Sequence, residues 1–375
     1  LAWPTRTAQR LRELIIHGRP PRFADAKSFN VAMVAQQPWA RGLNADQLDT
    51  VCHVMRTEEY ALVQGMPGTG KSATIAACIR ALAMAGKRVL LTCHTHSAVD
   101  NLLERLIDSD ENAPVLRIGR EEQVSDKVRP FTLASVSSDP AKLALKVTRA
   151  RVVASTCLAS AQDFFAHQRF DVCIVDEAGQ LSLPIILGPL LLARRFVLVG
   201  DLNQLPPLVR SEAAREGGLG VSLFERLAKT QPQALVTLSL QYRMAEDIMY
   251  LSNSLVYDGR LRCGNESVAS GMLDLQPLAP SSPARPEWVA AVADATKRVV
   301  FLDTSPLGAA AHERCKGDGN SGERFNPAEV SVVASSLSAL LAAGLRMTDA
   351  VVITPYRAQE ECIAQRLAVC SAETD

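Results

Sequence analysis

The sequence has almost nothing at large scale to attract a polyanion or a membrane. Its 375 residues carry 40 Lys and Arg against 40 Asp and Glu, for a formal net charge of zero. Any nucleic-acid binding must therefore come from local sites and not from a global field. Aromatic residues make up 5% of the chain, too few for extended base stacking. The nine cysteines are odd in number and include no C-x-x-C pair, which argues against a disulfide framework or a zinc ribbon. Cys93-His94-Thr95-His96 carries metal-ligand chemistry but has no matching second pair, so a structural metal is not expected there. The most apolar stretch, Leu181 to Gly200, is broken by Pro184, Gly188, Pro189, Arg194 and Arg195 and reads as a buried helix and strand, not a membrane span. The first residue is Leu1 and no leader is visible, so the chain reads as the middle of a longer polypeptide.

What is present is ordinary for a globular protein: 47% hydrophobic and 21% charged residues. At roughly 150 residues per domain, the length allows two or three domains. The first forty residues hold Arg6, Arg10, Arg12, Arg19, Arg22 and Lys27 against Glu13 and Asp25, a basic segment read as a linker. From about residue 41, short apolar runs alternate with helical periods. The runs are Ala61–Gln64, Val89–Thr92, Val152–Ser155, Val172–Val175 and Phe196–Gly200. Such runs separated by helices predict buried parallel strands in an α/β fold. A second set is expected at Leu235–Leu240, Val299–Asp303 and Val351–Thr354, with loops at the proline-rich Leu275–Glu287 and the glycine-rich Gly308–Gly322.

Gly65-Met66-Pro67-Gly68-Thr69-Gly70-Lys71-Ser72 matches the phosphate-binding pattern G-x-x-x-x-G-K-[ST] at every fixed position. An apolar run precedes it and good helix formers follow it. In such a loop the glycines let backbone amides turn onto phosphate oxygens, and the helix N-terminus adds partial positive charge. Lys71 can reach the β- and γ-phosphates, and the Ser72 hydroxyl can ligate Mg²⁺. Hydrolysis also needs a carboxylate for the metal and a group to position water. Asp176 and Glu177, at the end of the run Phe170–Val175, supply these: Asp176 to hold Mg²⁺, Glu177 to polarise water. Asp201 and Gln204 would leave the sheet at the same edge. Gln204 could then bond a γ-phosphate or the attacking water, although Pro206-Pro207 would explain an ordinary turn equally well.

Four segments occur here in one order: Gly65–Ser72, Val175-Asp176-Glu177-Ala178-Gly179-Gln180, Gly200–Pro207 and Gln241-Tyr242-Arg243-Met244. That order resembles superfamily 1 helicases of the 5′-to-3′ branch. Thr92–Asn101, Leu187–Leu190 with Arg195–Asp201, and Ser252–Leu261 resemble, within it, the eukaryotic DNA replication ATP-dependent helicase/nuclease family. The likeness runs from about Leu43 to Leu367.

It implies two RecA-like P-loop lobes with parallel sheets, lobe one at 41–235 and an incomplete lobe two at 236–375. It also implies that Gln47 reads the adenine edge, that Gln180 and Gln204 couple phosphate to strand movement, and that Arg243 is an arginine finger offered from the second lobe. With Pro67, Gly68, Thr69, Gly70 and Asp201, these residues complete the nucleotide site. Thr92, His94, Ser97, Asn101 and Thr156 match positions lining a strand path. Hydroxyl and amide groups there suit phosphate and sugar, which carry no base sequence. Tyr356 and Arg357 resemble a further contribution of the second lobe.

The expected function is ATP-driven translocation on single-stranded DNA in replication and repair, in the nucleus. RNA as the strand, or a nucleotide-binding module without turnover, are the rivals. Two motifs that the family places after Thr354–Gln359 are not found. None of the nine cysteines matches the ligands of the family's iron–sulfur nuclease domain, so nuclease activity is expected only of a longer protein.

Overall fold

A computed structural model describes residues 5–25, 31–108, 113–135, 139–279, 286–316 and 323–372. The chain divides into two compact units. The first comprises Leu1–Arg243 and Asn253–Gly264; the second comprises Met244–Ser252 and Asn265–Asp375.

The first unit is built on seven parallel strands, β1 (Tyr60–Gly65), β2 (Val89–Cys93), β3 (Val115–Arg117), β4 (Val152–Thr156), β5 (Phe170–Val175), β6 (Ala193–Gly200) and β7 (Leu235–Leu238). Their spatial order is β3-β4-β2-β5-β6-β1-β7. Alternate residues feed two cores. Ala61, Val63, Leu91, Ile174 and Val199 face one side, with the helices Ala45–Arg56, Lys71–Met84 and His96–Ile107. Tyr60, Leu62, Leu90, Cys173 and Leu198 face the other. Both faces are covered, so the strands read as unbroken apolar runs and not as alternation.

All five runs expected in the first lobe are strands. β3 was not anticipated, because it is three residues long and ends in Arg117. β7 belongs to this sheet, paired with β1 in the register Leu62↔Leu235, and does not open a second one.

The first segment is not a free linker. Leu11, Leu14 and Ile15 are buried in the second core. The Glu59 carboxylate, 2% exposed, accepts hydrogen bonds from Arg19 Nη1 (2.8 Å) and Arg22 Nε (3.1 Å). Burial alone would raise it, but the Arg22 backbone amide, which also donates to it, and then these two bonds hold it below the usual carboxylate range.

In the second unit the helices Pro327–Ala342 and Arg357–Ala372 pack together beside an antiparallel hairpin, Arg314–Lys316 with Glu323–Phe325. The runs 299–303 and 351–354 join no ladder among the described residues. An apolar run becomes a strand only where another strand takes up its backbone groups, and here none does; Phe301 and Ile353 stand 88% and 89% exposed. Among the described residues no helix is long and apolar enough to cross a membrane.

Arg117 is fully buried. Its Nε donates to Asp100 Oδ1 at 2.7 Å, which ties β3 to the helix His96–Ile107. Removing one partner strands a buried charge, whereas removing both does not. In chemical denaturation, Arg117→Met should destabilise the chain by roughly 3–5 kcal/mol. The double variant Arg117→Met/Asp100→Leu should recover much of that loss.

Candidate nucleotide-hydrolysis site

β5, β6 and β1 are adjacent and parallel, with Val175 opposite Leu198 and Gln64 opposite Gly200. The loops leaving their carboxyl ends therefore meet at one edge, which is where ligands bind in open α/β sheets.

After β1 the chain turns through Gly68 and Gly70, at φ of +73° and +79°, conformations that favour glycine. Gly70 caps the helix Lys71–Met84. A Cβ at Gly68 would lie 2.7 Å from Arg243 Cβ, and one at Gly70 would lie 2.6 Å from Gln47 Nε2. One at Gly65 would overlap the Lys71 stem at 2.1 Å. The glycines are thus demanded by what closes over the loop as much as by the turn itself. Lys71 Nζ arches back to donate to the Gly65 carbonyl at 2.9 Å.

Gln47, buried at the start of the helix Ala45–Arg56, donates from Nε2 to Thr69 O at 3.1 Å and accepts Asn44 N at 3.0 Å. Its amide is thereby clamped to the loop backbone. Tyr242 N donates to Gly68 O (2.9 Å), and Asn44 Nδ2 donates to the Tyr242 hydroxyl (3.1 Å). Arg243 N donates to Gln241 Oε1 at 2.8 Å.

Of these, Gly68, Thr69, Gly70, Lys71, Tyr242 and Arg243 line a cleft of about 530 Å³ that Pro67, Ser72, Glu177 and Gln204 also line. Arg243 lies in the first compact unit, not the second where it was expected. Tyr242 and Arg105, on the same lining, were not anticipated. Their signal was only an aromatic beside an arginine and a basic residue late in a helix.

The acids differ sharply. Asp176 ends β5 at 5% exposure and accepts Glu177 N at 2.9 Å. Burial, then the neighbouring Glu177 charge, push its carboxyl up to about 6 against the pull of Lys71. Glu177 sits at φ +53°, the left-handed region that non-glycine residues rarely adopt. Gln180 Nε2 donates to Glu177 Oε2 at 3.2 Å.

Asp201 at the end of β6 is also buried, but four donors surround it. Gln64 Nε2 (2.8 Å) and Asn203 N (3.0 Å) reach Oδ1; Gln204 Nε2 (2.8 Å) and Tyr257 Oη (2.9 Å) reach Oδ2. Its lone pairs are spent on these neighbours, so it supports Gln204 instead of facing the cleft.

The strand-path positions also divide. His94, Ser97 and Asn101 are exposed at and along the helix His96–Ile107. Thr92 and Thr156 are buried, the first donating to Cys157 Sγ at 3.1 Å and the second accepting Ala159 N at 3.4 Å. They brace the ends of β2 and β4 and do not share the surface of the other three. Tyr356 and Arg357 fall in the second unit.

A glycine-cradled loop with its lysine after β1, and an acid pair after β5 at the same edge of one parallel sheet with β6 between them, define the class: a P-loop nucleoside triphosphatase. A family model described as an AAA domain matches residues 42–144 and 138–212, and a second, also described as an AAA domain, matches 219–374. The DNA replication ATP-dependent helicase/nuclease JHS1 of Arabidopsis thaliana is 40% identical over 97% of this chain and 26% of its own length. The corresponding DNA2 proteins of Saccharomyces cerevisiae and Homo sapiens are 39% and 37% identical, over 93% and 97% of this chain and 23% and 35% of theirs. The chain belongs to the superfamily 1 helicases, close to the DNA replication helicase/nucleases, and spans about a quarter to a third of these relatives' length.

The Asp176 carboxyl binds its proton more tightly folded than at its ordinary value of 3.8. The ionised group therefore costs stability above pH 6, and the cost fades as pH falls towards 4. In nucleotide-free protein with chelator, Asp176→Asn should raise stability by about 1–3 kcal/mol at pH 7.5, and this gain should shrink by pH 4. Thermal unfolding across that range measures it.

Proposed function

We propose that this chain is the ATP-hydrolysing core of an enzyme that moves along single-stranded DNA during replication and repair in the nucleus. The observation that carries the reading is the convergence of Lys71, Glu177, Gln204 and Arg243 on one cleft. Triphosphate oxygens lie in the glycine cradle, on backbone amides and Lys71. The Tyr242 ring, 44% exposed and hydrogen-bonded through its hydroxyl to Asn44, offers a face for the adenine, and the Gln47 amide is bonded to the loop at Thr69.

The Ser72 hydroxyl and Asp176 carboxylate form the oxygen donor set that Mg²⁺ takes, and a carboxyl raised by burial is one that a cation would relieve. Bound there, Mg²⁺ would neutralise charge on the β- and γ-oxygens. The Glu177 carboxylate accepts a hydrogen bond from the attacking water and orients its oxygen on the γ-phosphorus. Gln204 donates to Asp201, a group that only accepts, so its Oε1 is turned away from that carboxylate and can accept the water's other proton. As the water oxygen bonds to phosphorus, the bond to the bridging oxygen of the β-phosphate breaks. The water's proton passes to Glu177 or to the departing phosphate. Lys71 and Arg243 offset the charge that gathers on the γ-oxygens.

His94, Ser97 and Asn101 offer hydroxyl, amide and imidazole groups suited to a phosphodiester backbone. Among the described residues no group of three His, Cys, Asp or Glu is placed to hold a metal.

In the natural gene product, oligodeoxythymidylate should stimulate ATP hydrolysis, and Lys71→Ala should abolish turnover. Glu177→Gln should still bind ATP while losing about 10²–10⁴ in kcat. A stimulation by single-stranded RNA equal to that by DNA would sink the DNA reading. Binding without turnover under all conditions would sink the enzymatic one.

A further inference from the structure

Tyr257 plays no part in the chemistry above, yet it is 3% exposed and its hydroxyl donates to Asp201 Oδ2 at 2.9 Å. The same oxygen accepts Gln204 Nε2 at 2.8 Å. Tyrosine hydroxyl and glutamine amide therefore share one acceptor atom. Burial and the Asp201 charge push the tyrosine up from its ordinary range, so it remains a donor. The segment that carries it is tightly built. Asn253 Nδ2 donates to Leu261 O and its Oδ1 accepts Leu261 N, both at 2.9 Å, while Asn203 Nδ2 donates to Val256 O at 2.8 Å. The turn at its tip runs through Asp258 and Gly259 at φ +52° and +71°. This segment, Asn253–Gly264, belongs to the first unit, but the chain on both sides of it, Met244–Ser252 and Asn265 onward, belongs to the second.

We propose that Tyr257 is a positioning residue for hydrolysis: through Asp201 it fixes the amide of Gln204, and it links that amide to the stretch where the chain passes between its two units. If the segment shifts, the hydroxyl leaves Oδ2, the Asp201 carboxylate loses one of the two donors that hold that oxygen in place, and the Gln204 amide bonded to it can turn away from the water. Tyr257 touches neither nucleotide nor water, and its effect is confined to the chemical step. The proposal rests on the assignment of Gln204 made above.

Steady-state ATP hydrolysis by the natural gene product with saturating oligodeoxythymidylate tests it, using Tyr257→Phe, Gln204→Ala and the double variant. Tyr257→Phe keeps the buried ring. It should lower kcat roughly five- to tenfold, the size expected for the net contribution of one hydrogen bond, with KM for ATP and DNA affinity unchanged. In the Gln204→Ala background the same substitution should cost nothing further. Asp201→Asn, which exchanges an acceptor for a donor, should repeat the kcat loss at unchanged KM. Slow Gln204→Ala with normal Tyr257→Phe would overturn the proposal alone, as would a Tyr257→Phe loss that persists undiminished without Gln204. A Gln204→Ala variant at full speed would overturn the assignment of Gln204, and the proposal with it.

Discussion

Parallel pairing of β1 with β6, and of β6 with β5, is the constraint on which the rest of the site depends. Those two ladders place the ends of three strands side by side, although Gly65, Asp176 and Asp201 are far apart in sequence. Had the strands followed chain order across the sheet, β2 would lie next to β1 and the acid pair would sit two strands further off. The inserted β5 and β6 put the carboxylates beside the phosphate cradle. Burial of both sheet faces makes that order stiff, since no strand can slip without moving side chains from one core to the other.

The two aspartates at this edge show how environment divides one side-chain type between two tasks. Asp176 and Asp201 are similarly buried. Asp201 is met by four donors and becomes an anchor. Asp176 receives a backbone amide, faces Glu177, and stays poorly compensated. A buried carboxylate left so poorly compensated is a standing cost to the folded chain. The left-handed backbone at Glu177 is a second cost in the same place.

The closure of the loop is equally specific. Gln47 and the Gln241–Arg243 stretch pack so near that a single methyl group at Gly68 or Gly70 would collide with them. The glycines of the phosphate loop thus serve the nucleotide and also the fit of neighbours more than twenty residues to one side and about 170 to the other. In the second unit, by contrast, the runs 299–303 and 351–354 join no ladder among the described residues, and Val351, Ile353 and Phe301 stand exposed.

Composition and local pattern determined the α/β class, the strands of the first unit that are buried on both faces, the phosphate loop and the acid pair. Each of these is written in contiguous residues, as apolar runs of strand length or as a spacing that phosphate and metal chemistry require. β3 escaped because three residues ending in Arg117 resemble a loop until Asp100 is brought against them. The first segment escaped because its arginines outnumber Leu11, Leu14 and Ile15, and only the sheet gives those three a core to enter. The roles of Thr92, Thr156 and Asp201 turned on burial, which a motif does not record. Tyr242 and Arg243 entered the first unit, their backbone amides donating to the Gly68 carbonyl and to the Gln241 side chain. Tyr257 reached Asp201 across 56 residues. Sequence fixes which groups exist and how they are spaced along the chain. Which of them share an acceptor, and which are shut away from solvent, is set by contacts between segments that only the closed sheet brings together.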